Sequence, residues 1–133
     1  MTAGVYIHIP FCRSRCSYCD FATGLFEADL ATRYVQAVVN EIERYAFPDS
    51  SHIETIYFGG GTPSLLTPAQ VETLLNAVTS NFDVDHNVEV TMEMNPGTVT
   101  TNVLTEFRRL GVNRASFGAQ TFDDEELARL AAR

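Results

Sequence analysis

Apolar residues along this chain switch repeatedly between two periods. Residues 5–9 alternate, with Val5, Ile7 and Ile9 on one side, Tyr6 and His8 on the other, and Pro10 closing the run. A period of two predicts a strand. Residues 53–58 repeat it, Ile56 and Phe58 against Thr55 and Tyr57. Residues 88–93 set Val88, Val90 and Met92 against Glu89, Thr91 and Glu93, and residues 112–119 form a fourth such run. Between them the period lengthens to that of a helix. Over 26–47, Leu30, Tyr34, Val38 and Ile42 recur with Val35 and Tyr45 beside them, until Pro48-Asp49-Ser50-Ser51 ends the segment. Thr67-Pro68-Ala69-Gln70 predicts a helix start, with Thr67 as N-cap, Pro68 in the first helical position and Gln70 completing a capping box. Val71, Leu74, Leu75 and Val78 follow as its buried stripe. A third helix begins near Thr101, buries Val103, Leu104, Phe107 and Leu110, and stops at Gly111, a C-terminal cap. A fourth is expected over 123–133.

Strands alternating with helices predict parallel βαβ units. Two architectures fit, an open doubly wound sheet and a barrel of the TIM type. The strand faces favour the second. An open sheet covered by helices on both faces reads as uniformly apolar. Here one face carries Tyr6, His8, Thr55, Tyr57, Glu89, Thr91, Glu93 and Ser116, which suits a curved sheet around a wet ligand cavity.

Composition narrows the function. At 133 residues, 45% hydrophobic and 20% charged, the chain reads as one globular domain. No apolar run reaches membrane-spanning length, so no integral membrane segment is expected. The start, Met1-Thr2-Ala3-Gly4, lacks the features of a secretory signal, and unpaired cysteines would then suit a reducing cytoplasm. A net charge of −8 argues against nucleic acid or an anionic membrane as partner. Lysine is absent, which excludes a lysine Schiff base and a Walker A phosphate loop within this chain. Oligomeric state is not legible.

All three cysteines fall within eight residues, Cys12, Cys16 and Cys19, directly after the first strand. Thiolates this close call for a soft metal. A disulfide would leave one cysteine over, in a chain unlike a small secreted scaffold. Zinc would need a fourth ligand, and His8 on the strand reaches the loop awkwardly. A [4Fe–4S] cluster on three cysteines, with one iron open to an outside ligand, fits the spacing best. Arg13 and Arg15 favour thiolate if they face the sulfurs, and are otherwise solvated.

Further special segments also lie at the carboxyl ends of strands: the turn Gly59-Gly60-Gly61-Thr62-Pro63, Glu93 with Asn95-Pro96, and Gln120. Parallel α/β folds bind ligands on that edge. Taken alone, the glycines read as a flexible turn, or as backbone that lets a ligand approach where no Cβ stands in the way. Glu93 alone reads equally as a solvated acid. His8 reads as a satisfied core residue, and His52 and His86 as loop residues without a role.

Tyr6-Ile7-His8-Ile9-Pro10-Phe11-Cys12, then Cys16, then Tyr18-Cys19-Asp20-Phe21, resembles the cluster loop of radical S-adenosylmethionine (radical SAM) proteins. More narrowly it resembles the branch of oxygen-independent coproporphyrinogen III oxidase, which also holds a heme chaperone. The resemblance runs over essentially the whole chain and implies a partial (β/α)6 barrel, of which about four units are present and the C-terminal part absent. It implies a [4Fe–4S] cluster on Cys12, Cys16 and Cys19, with S-adenosylmethionine completing the open iron. The cofactor contacts it implies are Tyr6, Tyr18, Gly60, Gly61 and Thr62 of the turn, Glu93, and Gln120. Reductive cleavage of that cofactor would yield a 5′-deoxyadenosyl radical. Oxidases of the branch carry a fourth cysteine two residues after the third, where this chain has Phe21. That favours the chaperone, whose partners are heme and a heme-acceptor protein. The alternatives are porphyrinogen oxidation, or an inactive truncated fragment. A family arginine near the end meets Leu130-Ala131-Ala132-Arg133 here, with Ala132 at the arginine's position.

Overall fold

The computed structural model describes residues 2–12, 24–45, 51–118 and 123–125. Four strands, β1 (Thr2–Ile9), β4 (His52–Gly60), β5 (Asp83–Met94) and β6 (Arg114–Phe117), form one parallel sheet whose order follows the chain. A second ladder pairs β2 (Phe11–Cys12) with β3 (Gly24–Leu25). Three helices connect the large strands: α1 (Ala28–Arg44), α2 (Pro68–Asn81) and α3 (Thr101–Leu110). Crossovers between parallel strands share one hand, so strands laid down in sequence put successive helices on one face. Accordingly α1 packs beside α2 and α2 beside α3.

The buried cluster lies between that helix layer and the sheet. Ile7, Ile9, Ile56, Phe58, Val90, Met92 and Met94 meet Ala31, Val35, Val71, Leu74, Val78 and Phe107 there. The other sheet face is the polar one expected from the alternation. Tyr6, Tyr57, Thr91 and Arg114 stand in register across all four strands. Thr91 departs from the pattern. It is buried although its neighbours on that face are polar, and the Arg114 guanidinium lies 3.4 Å from its hydroxyl.

Helix ends follow local chemistry. Thr67 Oγ1 accepts from the Gln70 amide and the Gln70 side chain accepts from the Thr67 amide, the capping box read from sequence. Gly111 caps α3 at φ 118°, a left-handed conformation that disfavours other residues. The α1 stripe needs correction. Ala31, Val35 and Ile42 are its buried residues, whereas Leu30 and Tyr45 are exposed. Helix α1 also starts two residues later and ends three earlier than the expected 26–47. In α3 only Phe107 is fully buried, with Val103, Leu104 and Leu110 half-buried.

Strand bounds shift as well. β1 and β4 run past the alternating stretches because backbone pairing continues beyond them. β5 begins at Asp83, pairs Val84 with Ile53, and resumes at Glu89 opposite Thr55. The interruption is an irregularity that alternation could not reveal. β6 is shorter than 112–119, since Val112 and Asn113 lead into it as a cap. The Asn113 side chain donates to the Val88 carbonyl and accepts from the Val90 amide, imitating a strand residue. The expected fourth helix and the end of the fourth run lie largely outside the described residues. No helix among the described residues is long and apolar enough to cross a membrane.

Candidate functional site

The root of the cysteine loop is bedded on aromatic rings. Phe11 is buried, edge-on to Phe26 at 6.2 Å and to Tyr34 at 5.4 Å. The Tyr34 hydroxyl donates to the His8 carbonyl at 2.5 Å, which fixes the end of β1 against α1. The Phe26 amide donates to the Cys12 carbonyl at 2.8 Å, and Cys12 pairs with Leu25. The loop therefore leaves and returns at one point, as an anchored loop must to hold ligands in fixed geometry. Cys12 is half-buried at that point.

The glycine turn is stitched to the same root. Gly61 donates to the Ile9 carbonyl and Thr62 to the Phe11 carbonyl, both at 2.7 Å. Backbone already surrounding Gly60 and Gly61 demands glycine there, and side chains close in on Gly59. A methyl group at Gly61 would sit 2.5 Å from the Phe11 oxygen and 2.9 Å from Cys12 Sγ. At Gly60, φ is 113° and the added carbon would meet the His8 ring at 2.7 Å. At Gly59 it would meet the Tyr6 hydroxyl at 2.7 Å and Glu93 Oε1 at 2.8 Å. The expectation that missing Cβ atoms clear a path for a ligand is thus amended, because the protein itself fills those spaces.

Glu93 reaches across the sheet to this turn. Its Oε1 accepts from the Gly60 amide at 2.9 Å. Tyr6 stacks on Tyr57 with centroids 5.8 Å apart and planes 16° from parallel. Loss of hydration and then the nearby Glu93 charge hold both phenols above their ordinary range. The His8 ring lies beside Tyr6, with Nδ1 3.4 Å from the hydroxyl. Beyond Glu93, Ser64 and Thr98 join the turns after β4 and β5 at 2.6 Å.

Of the residues expected at the site, Tyr6, Cys12, Gly60, Gly61, Thr62 and Glu93 are brought together at the carboxyl edge of β1, β4 and β5. Cys16, Cys19, Tyr18 and Gln120 lie outside the described residues. Tyr57 was missed. Its signal was available, since it alternates onto the polar face two residues before Gly59. A groove of 480 Å³ runs along β1 against α1, walled partly by Val38, Ile42 and Phe82; it touches Tyr6 and His8 but not Cys12, Gly59, Gly60, Gly61 or Glu93.

The model of the radical SAM superfamily matches residues 6–133. The chain belongs to that superfamily. Among curated relatives of this radical SAM chain, the heme chaperone HemW of Escherichia coli (strain K12) is 41% identical, over 95% of this chain and 34% of its own length. An oxygen-independent coproporphyrinogen III oxidase of Bradyrhizobium diazoefficiens is 38% identical, over 92% of this chain and 28% of its own. The solved coproporphyrinogen III oxidase (HemN) from Escherichia coli, titled a radical SAM enzyme, superposes with a TM-score of 0.90 at 30% identity. That superposition covers 98% of this chain and 30% of the solved one. The radical SAM fold is therefore the fold of this chain, which spans about a third of the length of the relatives it matches.

Proposed function

We propose that this chain is the cluster- and cofactor-binding part of a heme chaperone like HemW, carrying a [4Fe–4S] cluster and S-adenosylmethionine and passing heme to an acceptor protein. The observation that carries it is the contact between Gly61 and Cys12. A turn that packs directly on a thiolate position, with a carboxylate on its amide, suits a cluster whose outside ligand is an amino acid. The residues present fit such a group. Cys12, Cys16 and Cys19 would hold the cluster. When bound, cluster and cofactor together supply one-electron chemistry at the cofactor's sulfonium.

The amides of Gly60, Gly61 and Thr62 already donate within the protein. Such a turn has acceptors to offer, and an ammonium is the ligand group that needs them. Glu93 keeps further acceptor capacity beside Gly60 for a polar part of the cofactor. Tyr6, exposed on the polar face, offers its ring and hydroxyl next to that carboxylate. Cys12 sits at the root and the glycines beneath it, so cluster and cofactor would share one wall.

The second reading is oxygen-independent coproporphyrinogen oxidation, favoured by the named oxidase among the relatives and by the superposition on HemN. Phe21 stands against it, at the position where the oxidases carry a fourth cysteine. One experiment separates them. Protein reconstituted without oxygen should take up about four iron and four sulfide per chain. It should then bind heme while leaving coproporphyrinogen unconsumed in the presence of S-adenosylmethionine and a reductant. Turnover of the porphyrinogen would favour the oxidase. Tight zinc uptake with no iron would remove both readings.

A further inference from the structure

One row of the sheet's polar face brings together aromatic rings and a guanidinium that no motif joins. Tyr6, Tyr57, Thr91 and Arg114 stand in register, one from each of β1, β4, β5 and β6. Residues in register on parallel strands share a face, and the helices cover the other one. At the β1 end, Tyr6 and Tyr57 stack with centroids 5.8 Å apart, and Tyr6 is 59% exposed. At the far end stands Arg114, the only arginine in a strand among the described residues. Its Nη1 lies 3.4 Å from the Thr91 hydroxyl and 4.0 Å from Glu89 Oε1. Both contacts are long for their kind, and the two ionic side chains are 58% and 54% exposed. A pair so open to water contributes little to stability. A guanidinium carries five N–H donors in a flat fork, so these contacts with described residues occupy few of them.

Neighbouring strands lie about 4.8 Å apart, which sets Arg114 about 10 Å from Tyr57 along the row. Stacked phenols offer a flat apolar bed to a ring system. A guanidinium fork at that remove offers a bidentate partner to an acid carried on an arm of the same ligand. We propose that this row is a binding surface for a carboxylate-bearing tetrapyrrole, with the macrocycle against Tyr6 and Tyr57 and a propionate on Arg114. Heme and coproporphyrinogen share that chemistry. The inference rests on the reading of the chain as a heme chaperone or porphyrinogen oxidase, and it adds the residue that recognises the acid. The row lies one step below the carboxyl edge, since the pairs His8 with Gly59 and Glu93 with Ser116 come next on that face. A tetrapyrrole here and a cofactor at the glycine turn would therefore adjoin at Tyr6.

The test is titration of the anaerobically reconstituted chain with hemin, with hemin dimethyl ester and with coproporphyrinogen III. The ester keeps the macrocycle and masks both acids. Wild type should bind hemin about tenfold more tightly than the ester. Arg114→Gln should remove that preference by weakening hemin alone, and Arg114→Lys, which keeps the charge without the fork, should fall between them. Arg33→Gln, exposed on α1 beyond the opposite face of the sheet, is the control for overall charge and should change nothing. Iron content, melting temperature and S-adenosylmethionine affinity should stay at wild-type values in Arg114→Gln. A loss toward coproporphyrinogen III and not toward hemin would support the surface, with the oxidase's substrate as its occupant. No loss toward either acid, or an equal loss of hemin and its ester, would overturn the role of Arg114 and leave heme binding standing. Weaker S-adenosylmethionine binding with tetrapyrrole binding unchanged would assign the arginine to the cofactor and overturn it as well. Wild-type protein that holds a cluster but takes up neither hemin nor coproporphyrinogen would overturn the proposed function, and this inference with it.

Discussion

Gly61 shows how a single position couples two parts of the site. Its φ is ordinary, so no backbone strain is at stake there; what forbids a side chain is the Phe11 carbonyl and Cys12 Sγ. Forcing a methyl group into a filled space typically costs about 1–3 kcal/mol, and the neighbours that must yield are the root of the cysteine loop. Gly61→Ala should therefore lower iron retention after reconstitution as well as cofactor affinity. Gly97→Ala, where the nearest atom would be the Asn95 side chain at 3.5 Å, is the control and should leave both unchanged. Normal iron content in Gly61→Ala would show that the loop root adapts. The residue types of the site were legible because glycine, cysteine and glutamate at strand ends carry chemistry wherever they sit. The reason for the glycines was not legible. Alternation tells which face a residue occupies, but not that Tyr6 and Glu93 meet over Gly59.

At the level of elements, the histidine set aside as a loop residue turns out to join two strands. His52 opens β4, with Nδ1 2.8 Å from Asp83 and Nε2 2.9 Å from Asp85 at the start of β5. Carboxylates on both ring nitrogens favour the imidazolium, so hydrogen bonds to Asp85 and then Asp83 raise the His52 pKa. Hydrogen bonding to His52, then to the Asn87 amide, lowers that of Asp85, with His86 adding a smaller attraction. The signs define a window. The His52 contribution is complete below its unfolded pKa of about 6.5 and fades as pH rises through the higher folded value. The Asp85 contribution holds above about 3.9 and fades as pH falls through its lowered folded value. The melting temperature should thus decline as pH rises above about 6.5, and His52→Gln should flatten that decline. Parallel declines in both proteins would assign the pH dependence elsewhere. Sequence could not show this cluster, because it depends on the irregular register between Ile53 and Glu89. The start of α2 was legible for the opposite reason, since its capping box is contained in four adjacent residues. In α1 the error at Leu30 arose because helical spacing alone does not say which of two adjacent stripes meets the sheet.

Across the whole molecule, strand order equals chain order, and that topology leaves two sheet edges of different character. The β1 edge is partly closed. Tyr34 takes the His8 carbonyl, and α1 walls the groove beside it. The β6 edge is four residues long, pairs with β5 alone among the described residues, and leaves Phe117 47% exposed. The alternation of strands and helices made this parallel arrangement legible, and the polar face pointed to helices on one side only. What it could not give was the difference between the edges, which depends on a tyrosine hydroxyl reaching a backbone carbonyl 26 residues away. Amide exchange should expose the difference. A strand paired on both sides opens only with its sheet, whereas an edge strand with few buried apolar contacts opens by local fraying. β4, flanked by β1 and β5, should exchange slowest together with the buried stripe of α2. β1 should follow, and β6 should exchange fastest of the four strands. Burial of a large apolar side chain contributes about 1.5–3 kcal/mol, so a second polypeptide segment covering Phe117 would slow β6 by at least tenfold. Protection of β6 equal to that of β4 in a protein shown to be monomeric would mean that this edge is already covered, and the two-edge description of the sheet would fail.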